Sequence, residues 1–112
     1  MSVNPRHKKI WAVVMSIPRG SVSTYGDVAR FAGYLRCARM VGSALRTAPK
    51  ELKVPWHRVI NSQGKISFPS AGEQARIQKR LLEDEGIVFL SGTVNLKNYA
   101  WQGDLDSNLW RM

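Results

Sequence analysis

Apolar positions recur with helical spacing through the first part of the chain. Ile10, Val13, Val14 and Ile17 stand at i, i+3, i+4 and i+7, which predicts an amphipathic helix ending before Pro18-Arg19-Gly20. Thr24, with Asp27 three residues on, reads as the N-cap of a second, short helix that carries Val28, Ala29, Phe31 and Ala32 and is closed by Gly33. A third helix is predicted from Leu35. In it Ala38, Val41, Gly42 and Leu45 repeat the helical spacing, while Arg36, Arg39, Ser43 and Arg46 gather on the opposite side. A buried stripe backs a basic one, and two short helices joined by a Gly-containing turn outline a helix-turn-helix.

Beyond Pro55 the pattern changes. Val59-Ile60 and Ile66 to Phe68 are β-prone and flank Ser62-Gln63-Gly64, predicting a hairpin that would act as a wing. Ser70-Ala71-Gly72-Glu73 has the spacing of a capping box and opens a charged helix through Ile77, Leu81 and Leu82 to Gly86. Val88 to Leu90 and Val94 to Leu96 are short strand candidates, and the tail from about Trp101 has no assignment. The fold class is mainly α with a small β wing, a winged helix-turn-helix. With 112 residues and 44% apolar content, residues 1–112 are expected to form a single domain.

Charge sharpens this picture. The net charge is +9, and its distribution is uneven: residues 1–72 hold twelve basic and two acidic residues, residues 73–112 five and six. One end of the molecule is therefore suited to a polyanion. The single cysteine, Cys37, excludes an internal disulfide, and two histidines far apart, His7 and His57, argue against a zinc site, so neither metal nor cofactor is expected. No run of 18 apolar residues and no signal-peptide pattern is present, which predicts no membrane partner and an intracellular protein, cytoplasmic and nucleoid-associated or nuclear. Ala38, Gly42, Ser43 and Ala44 are small enough to let the third helix approach a duplex or a neighbouring helix closely.

Several stretches match one family in order: IPRGSVSTYGDVARFAG, ARMVGSALR, PWHRVI, SQGKIS and LLEDEG. Over roughly residues 8 to 90 the chain resembles the DNA-binding domain of the O6-alkylguanine-DNA alkyltransferases, which implies a winged helix-turn-helix of the alkyltransferase type. In those enzymes the third stretch reads Pro-Cys-His-Arg-Val and its cysteine accepts the alkyl group. Trp56 stands there in this chain, so the closer resemblance is to the alkyltransferase-like proteins, which bind alkylated guanine without repairing it. Alkyl transfer needs a soft anionic nucleophile such as a thiolate, and a neutral indole cannot supply one. It can supply a flat apolar wall for an extruded base, where stacking is worth about 1–3 kcal/mol. A core tryptophan is the competing reading.

The resemblance assigns the remaining residues. Tyr25 would press on the phosphate beside the lesion, and Arg39, entering through the minor groove, would fill the gap left by the flipped nucleotide. Tyr25, Trp56, Pro69 and Ser70 would line the lesion pocket, with Phe68 nearby. Arg36, Cys37, Ala38, Arg39, Ser43 and Arg46 would contact DNA. His57 and Glu85 match the pair that activates the enzymes' cysteine; without a thiol beside them they read as a structural network. The implied partners are double-stranded DNA containing O6-alkylguanine and proteins of nucleotide excision repair, with the chain a monomer. Ala48 replaces a common asparagine, and Phe68 to Gly72 differs from the enzymes' Ser-Gly-Gly loop, so the pocket is expected to differ in shape. Two other functions remain open at this stage: a winged-helix transcription regulator, and an active transferase using Cys37 or a glycosylase.

Overall fold

The computed structural model describes residues 4–68 and 72–103. Its first helix, α1 (Pro5–Met15), has Pro5 at its start and Asn4 as its N-cap, the Asn4 side chain accepting from the Arg6 N–H at 2.9 Å. Ile10, Val14 and Ile17 are buried as the spacing predicts, whereas Val13 is half-buried and Trp11, outside the predicted stripe, is buried. Strand β1 (Ser23–Thr24) leads directly into α2 (Tyr25–Phe31), where Thr24 Oγ1 accepts from the Asp27 N–H at 3.1 Å and acts as the predicted cap. Gly33 lies at φ +92°, a left-handed conformation that suits glycine, and the Tyr34 N–H closes the helix on the Ala29 carbonyl at 2.8 Å.

The next helix, α3 (Ala38–Thr47), starts later than expected. Arg36 takes φ +61° and Cys37 a non-helical ψ of 37°, so both belong to the turn, with Cys37 at the N-cap position. Of the predicted stripe Val41 is buried and Gly42 and Leu45 are half-buried, while Ala38 is exposed; Ala44 is buried in addition, and Met40, Leu45 and Ala48 pack against the core. Ala44 thus faces the interior, where its carbonyl accepts the Trp11 indole N–H at 2.7 Å. Helix α1 packs against both α2 and α3, so the helix-turn-helix rests on a third helix through a core of Ile10, Trp11, Val14, Ile17, Val28, Ala29, Val41, Ala44, Val54 and Val59. Each fully buried aliphatic side chain contributes roughly 1.5–3 kcal/mol to holding that arrangement.

The expected hairpin between residues 59–60 and 66–68 does not form. Strand β2 (Val59–Ile60), buried on both faces, pairs in parallel with β1, Ser23 opposite Val59 and Thr24 opposite Ile60. No strand occupies Ile66 to Phe68, because Asn61 gathers the chain into a turn: its Oδ1 accepts from the Gln63 and Lys65 N–H groups at 2.9 and 3.0 Å. The hairpin lies further on, between β3 (Phe89–Leu90) and β4 (Thr93–Val94), and reaches back through the Val94 N–H to the Gly64 carbonyl at 2.8 Å. Leu96, expected in a strand, opens the short helix α5 (Leu96–Tyr99), because Asn95 caps it through the Lys97 N–H.

Helix α4 (Glu73–Asp84) has Gly72 as its N-cap, so Glu73 is the first helical residue rather than the third that a capping box requires. Ser70 and Pro69 lie outside the described residues. A second apolar cluster, Val22, Ile60, Leu82, Ile87 and Val94, joins α4, the two small sheets and α5. The start of the tail is tied in: Trp101 packs edge-on against Phe31 with ring centroids 5.3 Å apart, and its backbone N–H donates to the Val22 carbonyl at 2.8 Å. The rest of the tail, from residue 104, lies outside the described residues. Among the described residues no helix is long and apolar enough to cross a membrane.

Candidate nucleic-acid and lesion-binding site

Two surfaces carry the residues singled out by sequence. The first is the outer face of α3. Arg39, second in the helix, is exposed; Gly42 and Ser43 are half-buried; Arg46 is exposed one turn further, with Nη1 placed 3.7 Å from where a Cβ on Gly42 would sit. Arg39, Ser43 and Arg46 therefore share one face of α3, with the two arginines exposed and Ser43 half-buried between them, while Arg36, expected on the same face, and Cys37 flank it from the turn. Cys37 Sγ donates to the Leu35 carbonyl at 3.3 Å, within the turn itself. Tyr25 opens α2 and is half-buried against the first core.

The second surface is the segment Val54 to Arg58. Pro55, at φ −77° and ψ 67°, makes an inverse γ-turn in which the Trp56 N–H donates to the Val54 carbonyl at 2.8 Å. The chain then makes one 3₁₀ turn, Trp56–Arg58, and enters β2. This local reversal presents Trp56 half-buried, in neither core cluster. Its ring is met edge-on by His57 and by Phe68, with centroids 6.1 and 6.2 Å away and both interplanar angles 86°. Neither a hydrogen bond, an ion pair nor an aromatic contact among the described residues ties Trp56 to Tyr25 or Arg39. An open depression of about 510 Å³ adjoins the segment, lined by Met15, Lys53, Val54, Pro55, His57 and Arg58; the indole is not part of its wall.

What fixes the segment is a carboxylate. Glu85, whose side chain is 5% exposed, sits just past α4 and accepts from His57 Nε2 at 2.7 Å, Arg58 Nε at 3.0 Å, Arg58 Nη2 at 2.8 Å and the Gly20 N–H at 3.0 Å. Burial alone would raise its pKa, but the Arg58 guanidinium, the Gly20 amide and His57 outweigh that and bring it down to about 2. Glu85 is thus an acceptor only, and His57 Nε2 must carry the shared proton. Arg58 also donates to the Ile17 carbonyl at 2.9 Å, and Gln78 Nε2 donates to the His57 and Val59 carbonyls at 3.0 and 2.9 Å. The pairing of His57 with Glu85 was visible in the sequence by resemblance. Arg58, Gly20 and Gln78 were missed; Arg58 directly after His57 was the available signal. The arrangement can hold a rigid aromatic platform, but it offers no thiol or other soft nucleophile beside His57 among the described residues.

A helix-turn-helix with an arginine stripe, beside a proline-set turn braced by a His–Glu–Arg network, defines a DNA-binding domain of the alkyltransferase type. Residues 5–87 match the family described as 6-O-methylguanine DNA methyltransferase, DNA binding domain, and the chain belongs to that family. It is 52% identical over 95 residues to a DNA base-flipping protein of Vibrio parahaemolyticus, a match covering 84% of this chain and 93% of that one. Identity to Alkyltransferase-like protein 1 of Schizosaccharomyces pombe is 43% over 109 residues, covering 91% and 99% of the two chains. A crystal structure of that yeast protein in complex with damaged DNA containing O6-carboxymethylguanine superposes with a TM-score of 0.76 at 40% identity, covering 91% of this chain and 99% of the other.

Proposed function

We propose that this protein binds O6-alkylguanine in duplex DNA by flipping the nucleotide out of the stack, and that it leaves the alkyl group in place. The observation that carries this reading is Trp56, a half-buried indole outside both cores and held on a braced turn, at the position that the sequence resemblance matches to the transferases' cysteine. The names of the relatives and the damaged-DNA complex of the yeast protein support it.

Extrusion costs a few kcal/mol, less at a base that pairs poorly. Trp56, with Phe68 at its edge, receives the base; Tyr25 rotates its phosphate and Arg39 occupies the vacated place. Entry through the minor groove suits a sensor that must act in any sequence context, since little sequence is readable there. Without transfer, the bound protein marks the lesion for nucleotide excision repair.

The test is intact-mass analysis of the protein after incubation with O6-methylguanine duplex, together with analysis of the recovered base. An unchanged protein mass and intact O6-methylguanine are expected. A protein one methyl group heavier would make it a transferase, and an abasic site would make it a glycosylase.

A further inference from the structure

Arg6 and Lys9 stand at i and i+3 on α1, and both are exposed. Their charged ends converge on one ring: the Arg6 guanidinium carbon lies 5.9 Å and Lys9 Nζ 5.8 Å from the Tyr34 centroid. Tyr34 is fixed on the other side, packed against the first core and held by its N–H to the Ala29 carbonyl. A rigid aromatic face therefore gathers two cations at the turn of the helix-turn-helix, two residues before Arg36 and four before α3 begins.

Among the described residues neither cation has a counterion: the ion pairs there involve Arg30, His57 and Arg58. The first turn of α1 contains no acidic residue, and the positive end of the helix dipole disfavours cations there. The terminal amides do not account for the cluster, since Asn4 already caps the Arg6 N–H. Arg6, in that first turn, is held against the dipole beside Lys9, and with no carboxylate on either among the described residues the pair is stabilised when a polyanion approaches from outside.

We propose that Arg6 and Lys9, seated over Tyr34, form a second phosphate-binding site that grips the duplex backbone flanking the α3 contact. This rests on the reading of α3 as the DNA-contacting helix. Phosphate contacts carry no base information, so the site adds affinity to damaged and undamaged duplexes alike.

The experiment is a salt series with the full chain, titrating identical duplexes that hold guanine or O6-methylguanine at one site. Each phosphate contact contributes about 0.9 to the slope of log Kobs against log salt. Arg6→Gln with Lys9→Gln is therefore expected to make the slope shallower by about 1.8 on both duplexes, with the affinity ratio between them unchanged. Lys79→Gln with Arg80→Gln removes the same charge from α4 and is expected to leave the slope as in the wild type. An unchanged slope in the first variant, or an equal change in the second, overturns the site. If the wild type does not distinguish the duplexes while the Arg6/Lys9 variant still has the shallower slope, lesion recognition fails and the phosphate site stands.

Discussion

Replacing Glu85 by Gln tests the network that positions the Trp56 segment. The folded protein holds this carboxyl at about 2 instead of its ordinary 4.5, against the desolvation that burial imposes. At 1.36 kcal/mol per pH unit this corresponds to about 3 kcal/mol of stability near neutral pH. Because the folded pKa is depressed, that contribution is complete above about pH 4.5 and is lost as pH falls through about 2. Gln keeps the shape but has one acceptor oxygen, so its amide must face a donor, either the Gly20 N–H or the cluster of His57 and Arg58. Glu85→Gln is expected to lose about 3 kcal/mol at pH 7, in the range for breaking one partner of a buried pair. Urea unfolding at a series of pH values is the assay. The wild-type and variant curves should converge as pH approaches 2, where the wild-type carboxyl is itself being protonated. Curves that stay parallel between pH 5 and 2 would refute the account of Glu85 as the charged centre of the network.

Other substitutions probe separate links. Arg39→Ala removes an exposed side chain and is expected to weaken lesion binding by about 1–3 kcal/mol, as loss of a stacked partner should, with the urea midpoint unchanged; equal binding by both proteins rules out the finger role. Trp56→Ala is expected to reduce the preference for bulky over small O6-alkyl groups in a competition titration, and an unaltered preference would return Trp56 to a packing role. Gly64→Ala places a Cβ against the Val94 carbonyl oxygen at a position with φ +79°, and a loss of about 1–3 kcal/mol in urea unfolding is expected. A neutral result there would mean that the β3–β4 hairpin does not bear on the Asn61–Lys65 turn.

The helices were legible because their signals are local. Thr24 and Asp27 carry the cap of α2 in four residues, and Ile10 and Val14 carry the buried face of α1, with Ile17 buried just past its end. The start of α3 was misread because Leu35 and Arg36 continue its periodicity; only the left-handed Arg36 and the cap at Cys37 break it. Val59-Ile60 was recognisable as a strand, but its partner lies 36 residues earlier in Ser23–Thr24, and no short-range pattern announces a two-residue parallel ladder. The local hairpin signal at Ser62-Gln63-Gly64 instead marked a turn closed by the Asn61 side chain. At the site, Trp56, His57 and Glu85 were visible through resemblance. The bracing by Arg58, Gly20 and Gln78 was not, because it depends on packing the end of α4 against the Trp56 turn.

The central claim is recognition of the lesion, and a paired titration at one fixed salt concentration tests it most directly. Identical duplexes carrying guanine or O6-methylguanine at a single site are titrated with the protein, and the fixed salt keeps the shared phosphate contribution the same in both. Tighter binding of the O6-methylguanine duplex is the predicted result. Equal affinity for the two duplexes would contradict it and leave a basic DNA-binding fold without damage recognition.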